Sequence, residues 1–219
     1  MISFDNVSKK YAAGFEAVHD VSFNIDPGEL VFLTGHSGAG KSTVLKLIML
    51  MERASSGEVN VANKSLSNMQ SREIPFHRQQ IGVVFQNHQL LFDRSVFDNV
   101  ALPLRICGYN ADDAARRVRA ALDKVGLLKR EKINPKQLST GEQQRIGIAR
   151  AIVHKPKILL ADEPTGNLDP QLSAEVMTLF KQFNQVGTTV LVASHDLSLI
   201  RRMNCRTLTL REGSLIDDV

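Results

Sequence analysis

The chain has 219 residues, 43% of them apolar, and 27 Lys and Arg against 23 Asp and Glu for a net charge of +4. That length can bury a full core as one domain, and the composition excludes disordered, collagen-like and repeat architectures; so small a basic excess gives no reason to expect direct nucleic-acid binding. No stretch approaches the roughly 18 uncharged apolar residues of a membrane span. The two cysteines, Cys107 and Cys205, form neither a CxxC pair nor a metal cluster, so free thiols in a reducing cytosol are expected.

In chain order, Ile2 and Phe4, then Val21, Phe23 and Ile25, alternate up to a turn at Asp26-Pro27-Gly28, which predicts a small antiparallel sheet. The apolar run Leu30 to Leu33 leads into Gly35-His36-Ser37-Gly38-Ala39-Gly40-Lys41-Ser42, a complete G-x-x-x-x-G-K-S phosphate loop, and a helical pattern through Val44, Leu45, Leu47, Ile48 and Met51 leads out. A triphosphate is held best by convergent backbone N–H groups at a helix N-terminus, one cation and a metal-binding hydroxyl. Gly38 and Gly40 would let the backbone close in, Lys41 would reach the β- and γ-phosphates, and Ser42 would ligate Mg²⁺.

Ile81 to Phe85 reads as a short buried strand ending at Gln86, and helical patterns then take over from about 87 to 155. Asn110 caps a predicted helix with Asp112 and Asp113 in its first turn, an apolar face of Ala115, Val118, Leu122 and Val125, and a stop at Gly126. Arg116, Arg117, Arg119 and Lys124 fall off that face as a solvated side. In Leu138-Ser139-Thr140-Gly141-Glu142-Gln143-Gln144-Arg145, Ser139 and Glu142 make an S-x-x-E capping box. The same helix start, with its free N–H groups and positive dipole end, also attracts phosphate, and a Glu142 turned back onto Ser139 would repel it less.

Two continuous apolar strands follow. Lys157 to Ala161 ends in Asp162-Glu163, and Thr188 to Ala193 ends at His195. Parallel strands deliver their carboxyl ends to a ligand crevice, so Asp162 is expected to hold Mg²⁺ directly or through water and Glu163 to orient and deprotonate the attacking water. His195 is placed as a γ-phosphate contact, and Gln86 as a ligand of the metal or the water. Buried strands alternating with helices imply a parallel sheet covered on both faces, with a helical insert.

With the phosphate loop, Gln86, the Leu138 to Gln144 stretch, Asp162-Glu163 and His195 in this order, the chain resembles the ATP-binding-cassette ATPases over its entire length. The resemblance implies an α/β P-loop fold: a mostly parallel sheet core with an N-terminal antiparallel β-subdomain and an inserted helical subdomain. It divides the chain into a nucleotide-binding core of about 1–86 and 156–219 and a helical subdomain of about 87–155. It implies ATP hydrolysis by a head-to-tail homodimer that forms when ATP binds. Each ATP with its Mg²⁺ would lie on Gly35, His36, Ser37, Gly38, Ala39, Gly40, Lys41, Ser42 and Thr43 of one copy, and meet Ser139, Thr140, Gly141, Glu142 and Asp169 of the other. Tyr11 would stack on adenine, and Gly166-Asn167-Leu168-Asp169 would be an inter-subunit loop. Thr140 departs from the family's usual glycine, which would be strained if that position needs positive φ and tolerable if it simply begins the helix.

Within the family, Glu142-Gln143-Gln144-Arg145 and the segment Phe85 to Val100 are similar to the branch that serves bacterial cell division; lipoprotein-release and macrolide-export ATPases are also similar. That branch implies an integral membrane partner of the FtsX kind, docked near residues 87–105 on apolar area from Leu90, Leu91, Phe92, Val96 and Phe97. It also implies a place on the cytoplasmic face of the inner membrane at the division septum, with no substrate necessarily transported. A soluble cassette acting on DNA or the ribosome, or a scaffold that binds ATP with little turnover, are the other readings.

Overall fold

In a computed structural model that describes every residue except Ala13 and Asn167, two sheets enclose two hydrophobic cores. Strands β1 (Ile2–Lys10) and β2 (Glu16–Ile25) form the expected antiparallel pair, Phe4 facing Phe23 with their rings stacked 4.5 Å apart. Their register shifts near Asn6 and Asp20, both at positive φ and joined by a 2.8 Å side-chain hydrogen bond, so the pair bulges and twists there. Next come β3 (Leu30–Thr34) and α1 (Lys41–Ile48), which is one turn shorter than the pattern through Met51 predicted. Leu50 turns to φ 53° and ends the helix, leaving Met51 exposed.

Then β4 (Ser56–Val61) and the two-residue β5 (Lys64–Ser65) join the first sheet, whose order is β2-β1-β4-β5. A short α2 (Ile74–Arg78) leads to β6 (Ile81–Val84). Three helices follow: α3 (Val96–Ile106), α4 (Ala111–Lys124) and α5 (Thr140–Ile152). Asn110 caps α4 as expected, accepting from the Asp113 N–H, but the buried face is Ala114, Val118, Ala121 and Leu122. Ala115 is only half-buried, because the stripe turns back toward α3 and α5 one residue earlier than the i, i+3 reading placed it.

The rest alternates: β7 (Ile158–Asp162), α6 (Pro170–Gln185), β8 (Thr189–Ala193), α7 (Leu197–Met203), β9 (Thr207–Arg211) and β10 (Ser214–Asp218). The second sheet runs β10-β9-β3-β8-β7-β6, parallel throughout except for the β9–β10 hairpin. Successive side chains of its central strands enter opposite cores. Phe32, Leu159, Ala161, Val190 and Val192 pack on the helices from α3 to α6, while Val31, Leu33, Leu160 and Leu191 meet α1 and the first sheet. Burial on both faces is why these strands read as unbroken apolar runs. β3, β7 and β8 run in the same direction, so their carboxyl ends share one edge.

Candidate functional site

The phosphate loop leaves that edge after Thr34 and turns into α1 at Gly40, which has φ 106° and offers no side-chain cap. Glycine is required there: a Cβ would stand 2.5 Å from the Ala17 carbonyl oxygen, besides the positive φ. The first-turn N–H groups of α1 therefore point outward without a side-chain acceptor, an arrangement that attracts anions. Lys41 is only 7% exposed, and its ammonium donates to the carbonyls of Gly35 at 2.6 Å and His36 at 3.1 Å.

Opposite lies the end of β7. The Ser42 hydroxyl donates to Asp162 Oδ1 at 3.3 Å. Burial raises the Asp162 carboxyl above the usual carboxylate range, the Ser42 hydrogen bond opposes this, and the neighbouring Glu163 charge adds to it. Glu163 sits in the left-handed region at φ 47°, its N–H bonded to the Ala193 carbonyl at 2.9 Å. Non-glycine residues reach that region at a cost of about 1–3 kcal/mol, and such strain is typical of functional sites. The turn directs the carboxylate into the cleft, where Oε1 accepts from His195 Nδ1 at 2.8 Å and lies 3.9 Å from the Lys41 ammonium.

These groups line one cleft of about 450 Å³, together with His36, Ser37, Gly38, Ala39, Gly40, Thr43 and Gln86. Four stretches distant in sequence thus contribute to one concavity with the chemistry of a triphosphate site: convergent amides, a buried cation, a hydroxyl beside a carboxylate, and a second carboxylate held by a histidine. Among the described residues no three His, Cys, Asp or Glu side chains cluster as a complete metal site. The oxygen pair of Ser42 and Asp162 nevertheless suits Mg²⁺, a hard cation that completes its shell from water and phosphate.

Tyr11 does not line the cleft. It follows the last residue of β1 beneath the Lys9 ammonium, 5.0 Å from ring centroid to nitrogen, and its N–H bonds the Phe15 carbonyl at 2.9 Å. Phe15, at the other end of that turn and 60% exposed, does line it. The sequence reading passed over Phe15. An exposed aromatic three residues before the buried Val18 of β2 was the available signal.

Ser139, Thr140, Gly141, Glu142 and Asp169 lie outside the cleft of their own chain, at the N-termini of α5 and α6. The capping box is formed: Ser139 N–H and Oγ donate to Glu142 Oε2 at 3.0 and 3.1 Å, and Ser139 Oγ accepts from the Glu142 N–H. Thr140 is the first helical residue, exposed and without positive φ, so it carries no backbone strain. Gly141 packs on Leu172, where a Cβ would stand 2.8 Å from Cδ1, which holds the two helix starts together. Asp169 caps α6 by accepting from the Gln171 and Leu172 N–H groups. Of the predicted inter-subunit loop, Asn167 lies outside the described residues.

Contacts that no local sequence pattern announces tie α5 to the loops beside the cleft and to α6. Gln144 donates to the Pro164 carbonyl at 2.7 Å, just after Glu163. Arg150 grips the carbonyls of His88 and Gln89, just after Gln86, at 2.6 and 2.7 Å. Arg145 pairs with Glu175 of α6. Asn99, fully buried in α3, fastens the following segment through Leu91 and Ser95. Of the five apolar residues expected on a docking surface, Leu90 and Val96 are core and Phe97 packs against it, whereas Leu91 and Phe92 are 41% and 42% exposed.

Comparison with known proteins agrees with this geometry. The family description "ABC transporter" matches residues 18–166. The cell division ATP-binding protein FtsE of Escherichia coli K12 is 58% identical over 215 residues, covering 98% of this chain and 97% of that one. The FtsE protein of Mycobacterium tuberculosis is 44% identical over 219 residues, covering 100% and 95%. Among solved structures, the dimeric bacterial ABC transporter cassette MJ0796 superposes with a TM-score of 0.91 at 35% identity, covering 100% of this chain and 98% of that one. The same cassette has been solved as a dimer in a post-hydrolysis state with ADP and Pi, also at a TM-score of 0.91, with 34% identity and the same coverage. With a match across more than half of its length and relatives this similar from end to end, the chain belongs to the ABC transporter family of ATP-binding cassettes.

Proposed function

We propose that this chain is the ATP-hydrolysing subunit of a membrane-associated cell-division complex, in which two copies clamp two Mg²⁺-bound ATP molecules head to tail. One observation carries the reading: the cleft holds every group needed on one side of a triphosphate, while the capped start of α5 lies on a different surface of the same chain. A second copy brings that surface to the open side of the cleft. The dimeric cassettes of the same fold support this arrangement.

In this reading the loop amides and Lys41 bind the phosphates. Ser42 and Asp162, with Gln86, would hold Mg²⁺, which when bound draws charge from the phosphate oxygens. Glu163 takes the proton of the attacking water, and His195 keeps that carboxylate oriented and touches the γ-phosphate. Ser139, Thr140, Gly141, Glu142 and Asp169 act in trans. Phe15, which lines the cleft, or Tyr11, whose N–H bonds the Phe15 carbonyl, supplies the adenine platform.

The helical subdomain, 87–155, meets the membrane partner, and 1–86 with 156–219 form the nucleotide-binding core. No helix of the described residues is long and apolar enough to cross a membrane, so attachment through another protein fits. The partner is an FtsX-like integral membrane protein that docks near residues 87–105 on Leu91 and Phe92, at the cytoplasmic face of the inner membrane and the division septum. The FtsE relatives, named for cell division, support this. The test is ATP turnover by the purified chain with the detergent-solubilised partner and, separately, with DNA. Stimulation by the partner that Leu91→Asp with Phe92→Asp removes is expected; stimulation by DNA alone would contradict the reading.

A further inference from the structure

At the amino ends of the same parallel strands, on the edge opposite the nucleotide cleft, lies a second and larger concavity of about 740 Å³. It opens between α4, the turn from α5 into β7, and the turn from α6 into β8. Its floor is apolar: Ala121, Val153 and Phe183 are buried beneath it, and Val186 stands 76% exposed at its lip. Its walls are basic, with Arg116, Arg117 and Lys124 along α4 and Lys155 and Lys157 across from them, and no acidic residue lines it.

Among the described residues, only Arg116 of these five enters an ion pair, with Asp113. Arg117 is spread over the Tyr109 ring at 4.7 Å, and its Nε has no hydrogen-bond partner. Like charges gathered around an apolar trough repel one another. Their field does favour an anionic ligand. Arg116 and Lys124 are about 12 Å apart along α4 at 1.5 Å per residue, so the charge is strung out along the groove, not focused on a point. A single small anion would engage one end of it, and a bilayer surface cannot follow a recessed floor. An extended chain that alternates carboxylates with apolar side chains matches both wall and floor.

We propose that this groove is a docking site for a short acidic segment of a partner protein, seated with apolar side chains on Phe183 and Val186 and carboxylates on Arg117, Lys124, Lys155 and Lys157. The site is independent of the ATP reading, and its position leaves free the cleft and the helix starts that would face a second copy.

The experiment uses the whole chain and a fluorescein-labelled decapeptide alternating Asp and Glu with Leu and Phe, followed by anisotropy at two salt concentrations. Oligoglutamate of equal length and phosphatidylglycerol vesicles serve as rival probes. Saturable binding is expected, at least tenfold weaker for Lys155→Glu with Lys157→Glu and for Val186→Asp, while ATP turnover stays as in the parent chain. Should the double reversal unfold the chain, Lys157→Gln is expected to weaken binding about threefold, the effect of one rim charge. Three outcomes overturn the proposal: no saturable peptide binding, oligoglutamate binding as tightly as the alternating peptide, or charge-sensitive binding of the vesicles alone.

Discussion

At the scale of single residues, the proposed chemistry rests on Glu163, whose left-handed backbone and hydrogen bond to His195 aim its carboxylate into the cleft. Replacing it by Gln keeps shape and phosphate contacts but removes the base, so Glu163→Gln should bind ATP with parental affinity and turn it over about 10²–10⁴-fold more slowly. Lys41→Ala should instead fail to retain nucleotide, since the buried cation is gone; equilibrium binding beside single-turnover hydrolysis separates the two. Thr140 begins a helix without strain, so Thr140→Gly should turn over ATP no faster than the parent, and a several-fold gain would contradict the strain-free placement. The phosphate loop, Asp162, Glu163 and His195 were legible because a triphosphate dictates residue types at fixed spacing. The choice between Tyr11 and Phe15 was not, because it depends on how a five-residue turn folds, and an aromatic side chain advertises packing as readily as stacking.

At the scale of elements, caps and charge pairs fix where helices start. Glu142→Ala removes one half of the α5 capping box and should cost about 1 kcal/mol, a fall in melting temperature of roughly 2–4 °C for a chain of this size. In α3 the Ser95 hydroxyl, and after it the Arg105 guanidinium, hold the Asp98 carboxyl below the ordinary range. A depressed folded-state value means the stabilisation is present above the unfolded carboxylate range near pH 4 and is lost as pH falls through the folded value. Asp98→Asn should therefore be less stable than the parent at pH 7, and the gap should shrink steadily below about pH 4 in denaturant titrations. A gap independent of pH would contradict the pairing. Long elements were legible: α4 announced itself by Asn110 and a 3.6-residue stripe, and β3, β7 and β8 by unbroken apolar runs. β5, with two residues, and α2, with five, are too short to show a period. The edge strand β10 is pinned by Arg206 bonding Asp218 and Glu29, a contact between distant residues that no local pattern carries.

For the whole molecule, the parallel sheet gathers the side chains of the cleft along one edge, and Gln144 and Arg150 tie the helical segment to the loops beside them while Arg145 ties it to α6. Fold class and the convergence of the phosphate loop, Gln86, Asp162-Glu163 and His195 were readable in advance, because strand direction determines which ends meet. The ties were not, since each joins a side chain to a backbone carbonyl or a partner many residues away. The cleft lies on one surface and the capped start of α5 on another, the arrangement from which ATP-driven pairing of two copies is proposed. Sedimentation velocity of Glu163→Gln tests this most directly. Monomer is expected without nucleotide, dimer with Mg²⁺ and ATP, and monomer again when Ser139→Arg is added; a Glu163→Gln chain that binds ATP and stays monomeric at every concentration would rule out the ATP-joined dimer.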